Sequence, residues 1–122
     1  MATILLVEND PLQAILRKSI LERKFHAVER VCDAAEALCL VEEPQFAGQL
    51  GLVISGLSVP GIGGPAFVAE FHERLPRVPV LVLGGGGEAS TDYHGAWVRF
   101  LPQPCLDRDM LTAAGELLGQ PV

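Results

Sequence analysis

The segment LVISGLSVPGIGG, residues 52–64, decides how the rest of the chain is interpreted. Its first half is a short apolar run with β-branched residues, which is typical of a buried strand. Its second half carries glycines and a proline that break regular structure, and Pro65 then suits the first turn of a helix. In α/β proteins, a strand that ends in such a loop before a helix is where sites are built. The only side-chain polar groups of this segment, however, are the hydroxyls of Ser55 and Ser58.

The composition of the 122-residue chain is that of one folded domain, which we expect to span residues 1–122. Hydrophobic residues make up 49% of it, which predicts a packed core. The net charge is −6 and the nine Lys and Arg are scattered, so we expect no nucleic-acid partner. No apolar run approaches the ~20 residues that span a membrane, and no basic signal-peptide start precedes the first strand. We therefore expect a cytoplasmic protein with no membrane partner.

The cysteines carry a separate prediction about the environment of the chain. Cys32, Cys39 and Cys105 are odd in number and lack the spacing of metal ligands. This pattern favours neither a disulfide framework nor a zinc site. We therefore predict buried thiols in a reducing compartment.

Apolar runs alternate with helix patterns along the whole chain. The predicted strands are residues 3–7, 27–32, a third that begins at residue 52, 80–83 and 96–101. The first two predicted helices follow Asp10 and Asp33, whose carboxylates suit N-caps, and Pro44 ends the second. Three further helices are predicted at residues 65–74, 88–95 and 107–118, of which 88–95 has the weakest pattern. The first helix carries apolar residues at helical spacing, namely Leu12, Ile15, Leu16 and Ile20.

Strands that alternate with helices imply parallel pairing and right-handed crossovers. The predicted fold is therefore a three-layer, doubly wound α/β domain with a five-stranded parallel sheet in the order 2-1-3-4-5. In that order the carboxyl ends of the first and third strands meet at the switch point, where doubly wound domains bind their ligands. The residues brought together there would be Glu8, Asn9, Asp10 and Gly56, flanked by Gly84 and Gln103.

Four motifs make the pattern specific: ILLVENDP (4–11), LVISGLSVPG (52–61), PVLVLGG (79–85) and FLPQP (100–104). In this order and spacing they resemble the receiver domain of two-component response regulators, the CheY-like family, over nearly the whole chain. The resemblance implies a flavodoxin-like fold and a role in phosphorelay signal transduction. In such domains an acidic pair after the first strand and an Asp that ends the third hold Mg²⁺, and this Asp accepts the phosphoryl group. That phosphoryl group is bound by a hydroxyl residue at the end of the fourth strand and by a Lys after the fifth strand.

Carried over to this chain, the resemblance places different residues at most of the working positions. The acidic pair corresponds to Glu8 and Asn9, and the phospho-accepting Asp corresponds to Gly56. The hydroxyl position is Gly84, and the Lys position is Gln103. The scaffold motifs are therefore kept, whereas the acceptor, the hydroxyl and the lysine are absent.

The aromatic residue that often reports the switch in this family is retained as Phe100. With no carboxylate at Gly56, no acyl phosphate can form, and we predict no catalytic residue. Glu8 and Asp10 remain as a weak remnant of the metal site, a solvated pair in which Asp10 caps the first helix, so we expect no cofactor and no Mg²⁺. The predicted function is a pseudo-receiver, not an enzyme, that acts through contact with a histidine kinase or an output protein.

Two alternative functions stay open at this point, and so does the formation of a homodimer. The emptied pocket at Gly56 and Gly84 could sense a small molecule or an anion, since glycines at a strand end can present amide hydrogens. A displaced acidic residue could instead accept the phosphoryl group. A homodimer could form through the predicted fourth helix (88–95), the fifth strand and the fifth helix, a face to which Trp97 belongs. A deep apolar pocket would favour a ligand, whereas a filled cleft beside an exposed apolar patch would favour a protein partner.

Overall fold

The computed structural model describes residues 2–56, 64–84 and 97–119. The predicted helix 88–95, Ser58 and the glycines at positions 85–87 lie outside these residues. In chain order, the elements are β1 (Thr3–Val7), α1 (Pro11–Leu21), β2 (Val28–Val31), α2 (Ala34–Leu40), α3 (Pro44–Gln49), β3 (Leu50–Gly56), α4 (Gly64–Arg74), β4 (Val80–Gly84), β5 (Val98–Pro102) and α5 (Asp107–Leu117).

The five strands form one parallel sheet in the order β2-β1-β3-β4-β5, which confirms the predicted topology. Val7 at the end of β1 pairs with Ser55 on β3. Gly56 at the end of β3 pairs with Leu83 on β4. The carboxyl ends of these three strands therefore adjoin at one edge of the sheet, where the sequence predicts the site.

Side chains of the inner strands alternate between two apolar clusters, one on each face of the sheet. The first cluster joins Leu5, Val53 and Val82 to residues of α2 and α4. The second joins alternate residues of the same strands to α1 and α5, and it includes Ile4, Leu52 and Leu81. Because both faces are buried, the inner strands are continuous apolar runs, which confirms the predicted three-layer arrangement. None of the helices described above is long and apolar enough to cross a membrane.

Both predicted N-caps form. Asp10 Oδ1 accepts a hydrogen bond from the backbone N–H of Leu12 at 2.9 Å, and Asp33 Oδ1 accepts one from that of Glu36 at 2.8 Å. The Glu36 carboxylate in turn accepts a hydrogen bond from the backbone N–H of Cys32 at 2.8 Å. A side-chain cap of this kind stabilises a helix by about 1 kcal/mol.

The prediction for Pro44 is incomplete. Pro44 is predicted to end the second helix, but α2 already ends at Leu40. Pro44 instead begins an additional short helix, α3. A proline fits the first turn of a helix because the N–H that it lacks would have no partner there. The third strand also begins two residues earlier than predicted, at Leu50, directly after α3.

The predicted burial of the cysteines is wrong, since Cys32 and Cys39 are exposed and Cys105 is partly exposed. Cys32 directly follows β2, an outer strand of the sheet. Cys39 lies on α2, which buries Ala34 and Ala37, and a residue two positions after Ala37 lies on the opposite side of a helix. The general preference of cysteine for the interior therefore does not decide these positions.

Three of the four residues of the predicted apolar stripe of α1 face solvent, and the fourth, Ile20, is partly buried against the second cluster. The helix buries Ala14 and Leu21, whereas Leu12, Ile15 and Leu16 are 64%, 66% and 49% exposed. Residues 14 and 21 are seven apart and share one face, and residues 12 and 16 lie on the opposite face. The face of α1 that packs is therefore not the face with the most apolar residues.

Two leucine substitutions in α1 should therefore have different effects. Leu21→Ala removes a fully buried side chain and should lower the free energy of unfolding by about 2–5 kcal/mol. Leu12→Ala shortens an exposed side chain and should change it by less than about 0.5 kcal/mol. Urea unfolding of both variants measures the difference, and equal losses would contradict this orientation of α1.

Candidate functional site

Glu8 and Gly56 face each other at the carboxyl ends of β1 and β3. A Cβ atom placed on Gly56 would lie 3.5 Å from Glu8 Oε1, and among the described residues no other non-adjacent atom lies within 4 Å. The structure therefore brings these two residues together, as the predicted strand order requires. Among the described residues, position 56 has room for a Cβ atom, which would lie beside the Glu8 carboxylate.

The Glu8 carboxylate is paired with an arginine, which corrects the prediction of a solvated acidic pair. Its side chain is only 12% exposed. Oε1 accepts a hydrogen bond from Nη1 of Arg17, a residue of α1, in a direct ion pair. Oε2 accepts one from the backbone N–H of Asp10 at 3.1 Å. Both oxygens of this carboxylate therefore have partners within the protein.

A second guanidinium holds the backbone that follows β1. Nε and Nη2 of Arg30, on β2, donate to the carbonyl of Glu8 at 3.1 and 2.8 Å. Nη2 also donates to the carbonyl of Asn9 at 3.5 Å, and Asn9 itself is exposed. Arg17 thus binds the Glu8 carboxylate, whereas Arg30 binds the backbone carbonyls of Glu8 and Asn9 beside it.

Neither Arg17 nor Arg30 belongs to the site that the sequence predicts. The pair between Arg17 and Glu8 joins a helix to the end of a strand, and no local motif contains both residues. One signal for Arg17 is its position in α1, because residues 14, 17 and 21 share a helix face, and Ala14 and Leu21 show that this face is buried. That signal appears only when the orientation of the helix is known.

Gly84 and Gln103 lie at the ends of β4 and β5 and contact each other. The backbone N–H of Gln103 donates to the carbonyl of Gly84 at 2.5 Å. The side-chain amide of Gln103 donates to Sγ of Cys105 at 3.2 Å and so points into the connection between β5 and α5. Phe100, on β5, is partly buried and packs against the cluster that contains residues of α2 and α4.

With Arg17 bound to the Glu8 carboxylate, the described residues of this site do not fit a Mg²⁺ ion. Mg²⁺ is bound through oxygen ligands, usually carboxylates, in near-octahedral geometry. Both Glu8 oxygens have protein partners, Oδ1 of Asp10 caps α1, and Gly56 has no side-chain oxygen. In residues 2–56, 64–84 and 97–119, no group of three His, Cys, Asp or Glu side chains could hold a metal ion.

A cleft lined by both apolar and polar side chains opens between α1 and the connection that leads from β5 to α5. Its volume is about 190 Å³, and Leu16, Ile20, Leu106 and Met110 contribute apolar lining. Leu106 is 57% exposed and lines the cleft together with Leu16 of α1. We call the exposed apolar side chains on this side of the molecule the α1 patch: Leu12, Ile15, Leu16 and Leu106.

The fold and the position of the site together define a class of protein. A five-stranded parallel sheet in the order 2-1-3-4-5, covered on both faces and with polar residues beyond its first and third strands, is a flavodoxin-like α/β domain. The family model described as the response regulator receiver domain matches residues 4–113. The chain therefore belongs to the response regulator receiver family, whose domains serve in two-component signalling.

Individual proteins agree with this family. The sensor kinase CckA of Brucella abortus (strain 2308) is 26% identical over 120 residues, which make up 96% of this chain but 12% of that protein. The receiver domain of a hybrid histidine kinase CckA is 27% identical, with a TM-score of 0.79 and coverage of 96% of this chain and 99% of that domain. A CheY-like receiver protein of Methanospirillum hungatei JF-1 has a TM-score of 0.85 at 24% identity, over 98% of this chain and 94% of that one, which supports the fold alone.

Alanine substitutions at two glycines of β3 test the space beside Glu8. Gly56→Ala places its Cβ at ordinary contact distance from Oε1 and should change the free energy of unfolding by less than about 1 kcal/mol. Gly51→Ala would place its Cβ 2.5 Å from Cβ of Ala2 and 2.8 Å from Cδ2 of Leu118, and it should cost about 1–3 kcal/mol. Urea unfolding compares the two variants. A larger loss for Gly56→Ala than for Gly51→Ala would show that this space is not free.

Proposed function

We propose that this chain is a pseudo-receiver, a receiver domain that is not phosphorylated on aspartate and that signals by binding another protein. The observation that supports this proposal is the pairing at the ends of β1 and β3. Glu8 faces Gly56, which has no side chain, and Arg17 is bound to the Glu8 carboxylate. The proposal keeps the family's role in two-component signalling and removes the covalent switch from it.

An aspartyl phosphate requires groups that the described site does not supply. A carboxylate must attack the phosphodonor, and Gly56 has none. The incoming phosphoryl group carries about −1.5 to −2 charges at neutral pH, and the side chain of Gln103 is neutral and donates to Cys105. A metal ion could neutralise the remaining charge, but both oxygens of Glu8 have protein partners. We therefore propose no metal cofactor, no catalytic residue and no enzymatic activity.

The α1 patch supports a protein partner. Exposed large apolar side chains are typical of a surface that another protein covers, and two of those in the patch, Leu16 and Leu106, line the cleft. Receiver domains interact with histidine kinases or output proteins, and one relative of this chain is a sensor kinase. We propose that a histidine kinase or an output protein binds at this patch, and that nucleic acids and membranes are not partners. Self-association through β5, α5 and Trp97, which is 45% exposed, is the competing interface.

A small-molecule or anion sensor is the competing function. Its support is the space at Gly56, where an added Cβ meets only Glu8 among the described neighbours. The cleft of about 190 Å³ beside α1 and a second cleft of about 350 Å³ beside β2 and α2 are not lined by Glu8, Gly56 or Gly84. The nearest guanidinium, that of Arg17, already has a carboxylate partner and so is not free for an anion. The geometry therefore favours the protein partner.

The natural chain should gain no phosphoryl group from acetyl phosphate and Mg²⁺. Intact-mass spectrometry measures this directly, and a phosphoryl-sized increase would refute the pseudo-receiver proposal. Gly56→Asp alone should also stay unmodified, because its carboxylate would lie beside Glu8, and neighbouring like charges disfavour the ionised form that attacks the donor.

The matched positive control restores the whole set of family residues. Asn9→Asp, Gly56→Asp, Gly84→Thr and Gln103→Lys together should become partly phosphorylated, because the surrounding fold is that of the family. Phosphorylation of the Gly56→Asp single variant would instead show that the metal site and the lysine contribute less than proposed.

A charge placed in the α1 patch should weaken partner binding. Ile15→Glu places a charge at a position where the side chain is 66% exposed. It should raise the dissociation constant by about tenfold or more for the histidine kinase whose gene lies nearest to the gene of this chain. Ala35→Glu, at an exposed position of α2 on the other face of the sheet, adds the same charge and should leave the constant nearly unchanged. Loss of binding in Trp97→Glu but not in Ile15→Glu would place the interface on the side of β5.

A further inference from the structure

We propose that Arg17 is the resident cation of this site: its guanidinium, tethered to α1, neutralises Glu8, closes the site to divalent metal ions and fixes the orientation of α1. The inference rests on the proposed pseudo-receiver function, because it explains how the site is stabilised without a metal. It assigns this role to a residue that lies outside the motifs by which the chain resembles its family.

The pair between Arg17 and Glu8 is the most buried ion pair of the described residues. The two side chains are 17% and 12% exposed and are in direct contact. In each of the other pairs at least one side chain is 44% exposed or more. Exposed pairs contribute little to stability, whereas loss of one partner from a buried pair leaves an uncompensated charge. Arg17 should therefore matter more to stability than the other paired arginines.

The surroundings of Glu8 require positive charge. The backbone N–H of Asp10 donates to Oε2 of Glu8, and Asp10 brings a second carboxylate to the same turn. Nearby carboxylates repel each other, and a partly buried one is costly without a cation. Arg17 supplies that cation at Oε1, and Arg30 adds a second positive charge at the Glu8 carbonyl. These four side chains carry no net formal charge, which weakens the attraction of this edge of the sheet for a divalent ion.

The glycine at position 56 allows a single guanidinium to suffice for Glu8. A side chain at this position would begin 3.5 Å from Glu8 Oε1, the oxygen that Arg17 contacts. A carboxylate there would bring a third negative charge to the site, which the two arginines could not balance. Because Gly56 has no side chain, Arg17 has to neutralise only the Glu8 carboxylate.

The same ion pair orients the α1 patch. Arg17 shares a face of α1 with the buried residues Ala14 and Leu21, and it also lines the cleft beside Leu16. Its contact with Glu8 fastens the middle of the helix to the end of β1. Because this cation is part of the chain, α1 should present its exposed face in the same way with and without divalent metal.

Thermal unfolding in EDTA and in millimolar MgCl₂, without a phosphodonor, tests the proposal. The natural chain should have the same Tm in both solutions, within about 1 °C. Arg17→Met removes the charge but keeps an apolar stem, and it should lower Tm in EDTA by about 4–8 °C. Mg²⁺ should restore part of this loss in a saturable manner, because the Glu8 carboxylate, with Asp10 in the same turn, then lacks its cation. If Arg17→Met is unfolded in EDTA, the appearance of a thermal unfolding transition on addition of Mg²⁺ shows the same restoration.

Three further variants serve as controls. Arg17→Lys keeps the charge and should retain most of the Tm and remain insensitive to Mg²⁺. Arg23→Met breaks the exposed pair with Asp107 and should shift Tm by less than about 2 °C. Glu8→Gln combined with Arg17→Met removes both charges, so it should be more stable than Arg17→Met alone and should not respond to Mg²⁺.

Three results would overturn the proposal: a saturable rise in the Tm of the natural chain with Mg²⁺, a loss in Arg17→Met no larger than that in Arg23→Met, or a destabilised Arg17→Met that Mg²⁺ does not restore. None of these measurements involves phosphorylation. The pseudo-receiver proposal fails on a phosphoryl-sized mass gain instead, so the two failures are distinguishable.

Discussion

The burial of both faces of the parallel sheet is the constraint on which the rest of the structure depends. Side chains of β1, β3 and β4 alternate between two apolar clusters, and each cluster requires a layer of helices to cover it. Parallel connections then bring the carboxyl ends of the strands to one edge. Polar groups can gather at that edge without entering the core, in which Ser55 is the only buried polar side chain among the described residues. Glu8 and Gly56 meet there because of strand order and register.

Charge balance at this edge of the sheet relates to one another the residues that differ from the family's usual site. A carboxylate that is 12% exposed needs a positive partner, and in the family's usual site a divalent ion serves several carboxylates at once. Here α1 and β2 each contribute one arginine, Arg17 at the Glu8 side chain and Arg30 at its carbonyl. Under the proposed function, the charge of the site is neutralised by the protein's own residues, so the site has no phosphorylated or metal-bound form. Signalling would then depend on whether a partner is present, and not on phosphate or metal.

The sequence predicts the features that local chemistry determines. The apolar runs, the carboxylates of Asp10 and Asp33 as N-caps, and the alternation of strands and helices lead to the observed sheet order. The errors share a different cause. Exposure of Cys39 depends on how α2 is turned about its axis, and the same holds for Leu12 on α1, because periodicity shows that a face exists but not where it points. The sequence does not predict the helix that begins at Pro44, because a proline that follows one helix can also begin the next.

The orientation of α1 links the candidate site to the candidate interface. In this helix, residues 14, 17 and 21 share one face, and Leu12 and Leu16 lie on the other side. An orientation that buried the apolar stripe would therefore turn Arg17 away from Glu8 and leave a partly buried carboxylate without its cation. The observed orientation exposes leucine and isoleucine side chains, a cost of apolar surface that packing alone does not explain. The ion pair at the end of β1 and the α1 patch are thus two consequences of one helix orientation, and this is why a change at Arg17 is expected to affect the proposed binding surface.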